Sequence, residues 1–142
     1  MRAPVSNCAV IGSHELAIRN EEDIVLVRRK VRALAQARKL DAFAVAALTT
    51  ATSELTRNVW VHGGGGSALL EELADGMRYG VRATFVDQGP GVSDLDRALA
   101  GGFSTTNTMG LGLSGSRRLV DTFSIETGPG GTRVQIEKWG RG

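Results

Sequence analysis

The apolar positions change period several times along the chain, and each change marks an element. Residues 13–18 alternate loosely between apolar and polar, which predicts a first strand. From Glu22 to Lys39 the spacing becomes helical, with Ile24, Val27, Val31, Leu34 and Ala35 forming one stripe. Arg28, Arg29, Lys30, Arg32, Arg38 and Lys39 lie off that stripe, as a solvated basic face or a docking surface for an acidic partner. Asp41 can cap a second helix that runs to about His62, with Phe43, Leu48, Ala51, Leu55 and Val59 as its buried stripe. Four glycines, Gly63 to Gly66, then end it. Residues 67–74 and 79–86 read as two strands joined by Asp75-Gly76-Met77-Arg78, which carries an Asp-Gly hairpin signal. Residues 87–109 read as a polar, glycine-bearing loop, too long to be a neutral connection. A third helix over 111–122 and strands at 123–127 and 132–139, joined by Gly128-Pro129-Gly130-Gly131, complete the order.

Strands joined by tight hairpins are antiparallel, and three helices must bury their stripes against one face of the resulting sheet. The expected fold is therefore a two-layer α/β sandwich with a mixed, mostly antiparallel sheet and three helices on one face. It occupies the whole chain, 1–142, as one domain with its core over about 13–139. Strands and helices do not alternate, so a doubly wound sheet is excluded.

Composition narrows the function classes. Apolar residues make up 42% and charged residues 23%, ordinary for a globular protein. No apolar run reaches the roughly 20 residues that span a bilayer, and Asn7, His14, Glu15 and Arg19 interrupt any secretory signal. These features lead to the expectation of a cytoplasmic protein with no membrane partner. Cys8 is the only cysteine, so no internal disulfide forms, and it reads as a structural rather than a reactive thiol. A net charge of +2 is too small to argue for a nucleic-acid partner. Glycine is the unusual feature, with 19 residues grouped at 63–66, 89–91, 101–102, 110–115 and 128–131.

Three constellations carry candidate chemistry. Glu54 and Asn58 lie four residues apart on the second helix and offer a carboxylate and an amide oxygen to one small volume, the oxygen donors that Mg²⁺ accepts beside water and phosphate. Asp87-Gln88-Gly89-Pro90-Gly91 follows a strand directly. A carboxylate there can accept from the exocyclic amine of a base, and the glycines let backbone approach a flat ring. Gly110-Leu111-Gly112-Leu113-Ser114-Gly115 opens the third helix, where backbone amides favour anions. This third segment matches Gly-x-Gly-x-x-Gly, but polar Ser104–Thr108 precede it rather than a buried strand, against a dinucleotide-binding reading. No Gly-Lys-Ser/Thr follows it, and no His-Arg-Asp or Asp-Phe-Gly occurs, against a P-loop or a eukaryotic-type protein kinase. His14 and His62 have no further ligand at zinc spacing, and Trp60 and Trp139 read as packing residues.

In this order and on these elements, the three constellations resemble the GHKL family of ATPases and kinases, whose domain is the Bergerat fold. The resemblance runs over about 13–139. Ser53-Glu54-Leu55-Thr56-Arg57-Asn58, Asp87-Gln88-Gly89-Pro90-Gly91 and Gly102-Phe103-Ser104-Thr105-Thr106 are most similar to the small bacterial anti-sigma regulatory factors, in particular the RsbT-like serine/threonine switch kinases. The resemblance implies ATP and Mg²⁺ as cofactors, with Asn58 on the metal. Asp87, Gly89, Gly91 and Thr132 would then lie around adenine, and Gly110, Leu111, Gly112 and Leu113 by the phosphates. Ser104 and Thr105 would sit in a short lid from Gly101 to Met109.

The implied activity is transfer of the γ-phosphate to Ser or Thr of a STAS-domain partner, in a pathway that also engages a PP2C-type phosphatase or a sigma factor; a homodimer is compatible with it. Glu54 would act as general base. Arg57 would either offset charge on the γ-phosphate or form an exposed salt bridge. His62 is either a helix-end histidine favoured by the dipole or a phosphate contact. The alternative function is an ATP-binding anti-sigma factor or nucleotide-gated interaction module with little kinase activity.

Overall fold

The computed structural model describes residues 8–92, 94–100 and 112–141. Five strands, β1 (Ala9–Ile18), β2 (Gly66–Ala74), β3 (Tyr79–Asp87), β4 (Thr122–Gly128) and β5 (Gly131–Trp139), form one sheet in the order β1-β2-β3-β5-β4. Every pairing is antiparallel, which narrows the expected mixed sheet. The helices are α1 (Glu21–Ala37), α2 (Ala42–Val61), α3 (Leu95–Ala100) and α4 (Leu113–Leu119). The segment expected to be loop throughout 87–109 thus carries α3, and the third expected helix is shorter than 111–122. The first strand begins four residues before 13, past a register shift between Val10 and Gly12.

Local chemistry explains the helix ends. Asn20 Oδ1 accepts from the Asp23 N–H at 3.0 Å, and Asp41 Oδ1 accepts from the Ala44 N–H at 2.8 Å, so both long helices start on a side-chain cap. α2 stops where the N–H groups of His62 and Gly63 both reach the Asn58 carbonyl and Gly64 turns left-handed at φ +77°.

α1 and α2 lie across one face of the sheet. Val27, Val31, Leu48, Ala51 and Leu55 pack there against Leu70, Val81, Ala83, Phe85 and Ile136. α4 adds Leu113 to the same core. Phe43 is not part of it: the ring is 75% exposed, and Lys138 Nζ stands 6.0 Å from its centroid. Successive helical residues turn by about 100°, so Phe43 falls outside the arc that Ala44, Leu48, Ala51 and Leu55 turn toward the sheet.

The other sheet face is held by polar pairs. Arg82 Nε donates to Glu137 at 2.9 Å and its Nη1 to Glu71 at 3.3 Å, while the Trp139 indole N–H donates to Glu137 at 3.1 Å. Trp139 is a packing residue as expected, with the Arg78 guanidinium 4.7 Å from its ring. Cys8, half-buried, has its thiol pKa raised, chiefly by burial.

Candidate functional site

One cross-strand row carries the polar end of the site. Gly66, Asp87, Thr132 and Thr127 stand in register on β2, β3, β5 and β4 and therefore share a face. That face looks toward α2, and between them lies a cleft of about 440 Å³, open mouth included. Its walls are Leu55, Asn58, Val59, His62 and Gly63 from α2 and its end. Phe85, Asp87, Gly91, Val92, Leu113, Ile125, Thr132 and Val134 complete them. An apolar slot with a few polar groups at one end is the form expected of a small-molecule site.

Asp87 is the acid of that slot. Burial pushes its carboxyl above the usual carboxylate range, and backbone N–H groups of Gly89 and Thr132 pull it part of the way back. The Gly89 N–H donates to Oδ1 at 2.9 Å. Beside it the Thr127 and Thr132 hydroxyls share a hydrogen bond of 2.8 Å, and the Val92 N–H donates to Thr127 Oγ1 at 2.8 Å. The row thus ties the chain after Asp87 to the β4–β5 hairpin. On the opposite side that chain lies against the end of α2. A side chain on Gly89 would come within 2.8 Å of Gly63 Cα, and one on Gly63 would run into the Asp87 carboxyl.

The other end of the cleft joins the first and third constellations. Gly112, at φ +86°, caps α4. A Cβ there would lie 2.8 Å from Glu54 Oε1, so the glycine-rich segment packs directly on the N-terminal turn of the Glu54–Asn58 pair. Asn58 lines the cleft and Glu54 is exposed one turn before it. Leu113, 2% exposed, closes the apolar floor.

Of the sequence-derived candidates, Asn58, Asp87, Gly91, Leu113 and Thr132 line the cleft together, with Gly89 and Gly112 packed at its two ends. Arg57 is exposed, does not line the cleft, and forms no ion pair among the described residues. Ser104, Thr105, Gly110 and Leu111 lie outside the described residues, as does the rest of the expected lid. The structure adds Gly63 and Val92 to the site and places His62, the sequence's alternative phosphate contact, in its lining. His62 continues the Glu54–Asn58 face by one turn, as its spacing in the sequence suggests. Burial lowers its imidazole pKa and favours the neutral ring, opposite to the charged form that the helix dipole would favour.

A helix offering Glu54 and Asn58, a buried acid at a strand end and a glycine segment packed on the helix define a nucleotide-binding domain of the histidine-kinase type. The sequence matches the family described as "Histidine kinase-like ATPase domain" over residues 19–138, and the chain belongs to that family, which implies nucleotide binding. It is 39% identical over 123 residues to "Serine/threonine-protein kinase RsbT" of Bacillus subtilis (strain 168), across 86% of this chain and 92% of that protein.

Two solved structures share the fold. The RsbU and RsbW domains of Rv1364c from Mycobacterium tuberculosis align with a TM-score of 0.65 at 20% identity, over 92% of this chain and 33% of that one. The mycobacterial sensor histidine kinase MprB aligns with a TM-score of 0.53 at 16% identity, over 92% of this chain and 99% of that one. Among the described residues no helix is long and apolar enough to cross a membrane.

Proposed function

We propose that this chain is an ATP-dependent protein serine/threonine kinase of a partner-switching pathway, phosphorylating a STAS-domain partner and thereby regulating a PP2C-type phosphatase. The observation that carries this reading is the packing of Gly112 on Glu54, which brings Glu54, Asn58 and the start of α4 together at one end of a cleft, where they would serve as general base, metal ligand and phosphate contact. The buried acid Asp87 stands at the other end. The near full-length similarity to a serine/threonine kinase supports the same reading.

In this mechanism Asp87 accepts a hydrogen bond from the exocyclic amine of adenine, and Phe85, Ile125 and Leu113 contact the ring. The Thr132 hydroxyl, already paired with Thr127, holds a water at the ring edge. The residues fit Mg²⁺: Asn58 lines the cleft and offers an amide oxygen, a ligand that suits this ion beside water and phosphate. When bound, the ion neutralises charge across the phosphates. Glu54 takes the proton from the partner's Ser or Thr hydroxyl as its oxygen bonds to the γ-phosphorus. The bond from that phosphorus to the bridging oxygen breaks, and ADP leaves. Arg57, exposed one residue before Asn58, meets charge at the mouth.

The test is phosphotransfer. The protein is mixed with Mg·ATP and STAS-domain proteins of its own organism, and added phosphate on Ser or Thr is read by mass spectrometry. Glu54→Ala should keep nucleotide affinity and lose transfer by about 10²- to 10⁴-fold, the usual worth of a general base. Tight nucleotide binding with no transfer to any STAS protein would replace the kinase reading with an anti-sigma factor or nucleotide-gated module.

A further inference from the structure

The helical layer carries a second concave surface that shares no lining residue with the nucleotide cleft. An open groove of about 970 Å³, mouth included, runs between α1 and α2; Arg32 and Gln36 line one wall and Val45, Ala46, Thr49 and Thr50 the other. The second wall is built of short side chains, so another helix can lie low in the groove. Between residues 25 and 36, α1 is about 17 Å long at 1.5 Å per residue, the length of three helical turns.

The charge of the groove is one-sided. Arg32 is the charged residue of the lining, and Arg28 and Arg29 stand about one turn before it on α1, with Arg29 and Arg32 exposed. None of the three forms an ion pair among the described residues. Arg38, further along the same helix, is by contrast held by Glu72 at 2.9 Å. α1 has no carboxylate after Asp23, and α2 has none before Glu54. Asp41, between the helices, caps α2 and faces Arg141 at 3.6 Å. A surface helix normally answers such charges with acids one turn away; here neither wall supplies them.

We propose that the α1–α2 groove docks an acidic helical segment of a protein partner. Arg28 and Arg32, one turn apart, meet carboxylates at the same spacing, and the planar guanidinium fork suits a carboxylate better than a point charge would. Duplex DNA fits less well, because Glu21, Glu22 and Asp23 sit at the start of the same helix and the net charge is only +2. The inference goes beyond the kinase reading and needs neither nucleotide nor phosphoacceptor.

The experiment titrates the whole chain, at low salt, with a 16-residue helical peptide bearing Glu at i, i+4 spacing, with its Lys counterpart, and with a 16-base-pair duplex. Affinity is read by fluorescence polarisation and the site by amide chemical shifts. The acidic peptide should bind with shifts concentrated in residues 28–50. Arg28→Glu with Arg32→Glu should weaken it by at least about tenfold while ADP affinity stays unchanged. Arg28→Gln with Arg32→Gln, gentler on the fold, should show a smaller loss in the same direction. Peptide binding untouched by either double variant, shifts outside the groove, or a duplex that binds more tightly than the peptide would overturn the proposal. A failed phosphotransfer assay leaves this result standing, and the reverse also holds.

Discussion

Two adjacent glycines should respond to alanine differently, one losing ADP affinity and stability, the other stability alone. Gly63 has an ordinary backbone, but a Cβ there would lie 2.6 Å from Asp87 Oδ2, where ordinary contact begins at 3.4 Å. The Asp87 carboxyl, whose Cγ would stand closer still, would have to retreat by about 1 Å. The 2.9 Å bond from the Gly89 N–H would then be stretched beyond useful hydrogen-bond range. A hydrogen bond to a charged group is worth about 1.5–3 kcal/mol, so Gly63→Ala should weaken ADP binding roughly 10- to 100-fold.

Its stability should fall as well, by about 1–3 kcal/mol, because the added Cβ also overlaps Asp87 Cβ at 2.5 Å, an atom that cannot swing aside as a side-chain end can. Gly64 sits at φ +77°, and a Cβ added there would meet nothing within 4 Å. Gly64→Ala should therefore cost about 1–2 kcal/mol of stability for the left-handed backbone and leave ADP affinity unchanged. Calorimetric titration with ADP and urea unfolding of both variants decide the matter. Native affinity in Gly63→Ala, or a larger affinity loss in Gly64→Ala, would refute the abutment of Gly63 on Asp87, the proposed adenine-binding acid.

Other substitutions separate binding from packing. Burial raises the folded pKa of Asp87 above the ordinary 3.8, so the folded chain keeps this proton where the unfolded chain has lost it. Its contribution to stability is complete below 3.8 and is lost as pH rises through the folded pKa, whereas ADP affinity, which in the proposed mechanism needs the carboxylate, should rise over that interval. Asp87→Asn should flatten both profiles and leave ADP affinity low at every pH, measured by urea midpoints and titrations across the acid range. Phe85→Ala, at a position 1% exposed, should cost about 3–5 kcal/mol in urea unfolding. Glu137→Ala should cost about 1–3 kcal/mol and shift Trp139 fluorescence, because Arg82 keeps only Glu71 and the indole N–H loses its acceptor.

Much of the fold is legible because its long elements have clean periods. The stripe from Ile24 to Ala35, the cap at Asp41 and the Asp-Gly turn at 75–78 all appear where the residues predict them. α3 escapes because six residues embedded in a polar segment are too few for a periodic signal. Phe43 misleads because hydrophobicity is not azimuth: it is apolar but turned away from the sheet. The three constellations are legible as motifs, each with the element that bears it. Their assembly is not, since the contact of Gly63 with Asp87 and that of Gly112 with Glu54 each join segments far apart in sequence. Only the packed sheet and helices bring them together.

The row Gly66, Asp87, Thr132 and Thr127 depends on registration, and the device that registers β3 against β2 lies at the far end of the hairpin. There Asp75 Oδ1 accepts from the N–H groups of both Met77 and Arg78 at 3.0 Å, and Gly76 turns at φ +89°. Asp87 is eight residues beyond Tyr79, about 27 Å at the rise of an antiparallel strand. A slip of one residue at the turn would rotate Asp87 onto the opposite face of the sheet and leave the cleft without its acid. The turn works as a vernier, a small tight fitting whose setting is read out at the other end of the scale, so the loop at the far end of this hairpin governs whether Asp87 faces the cleft at all.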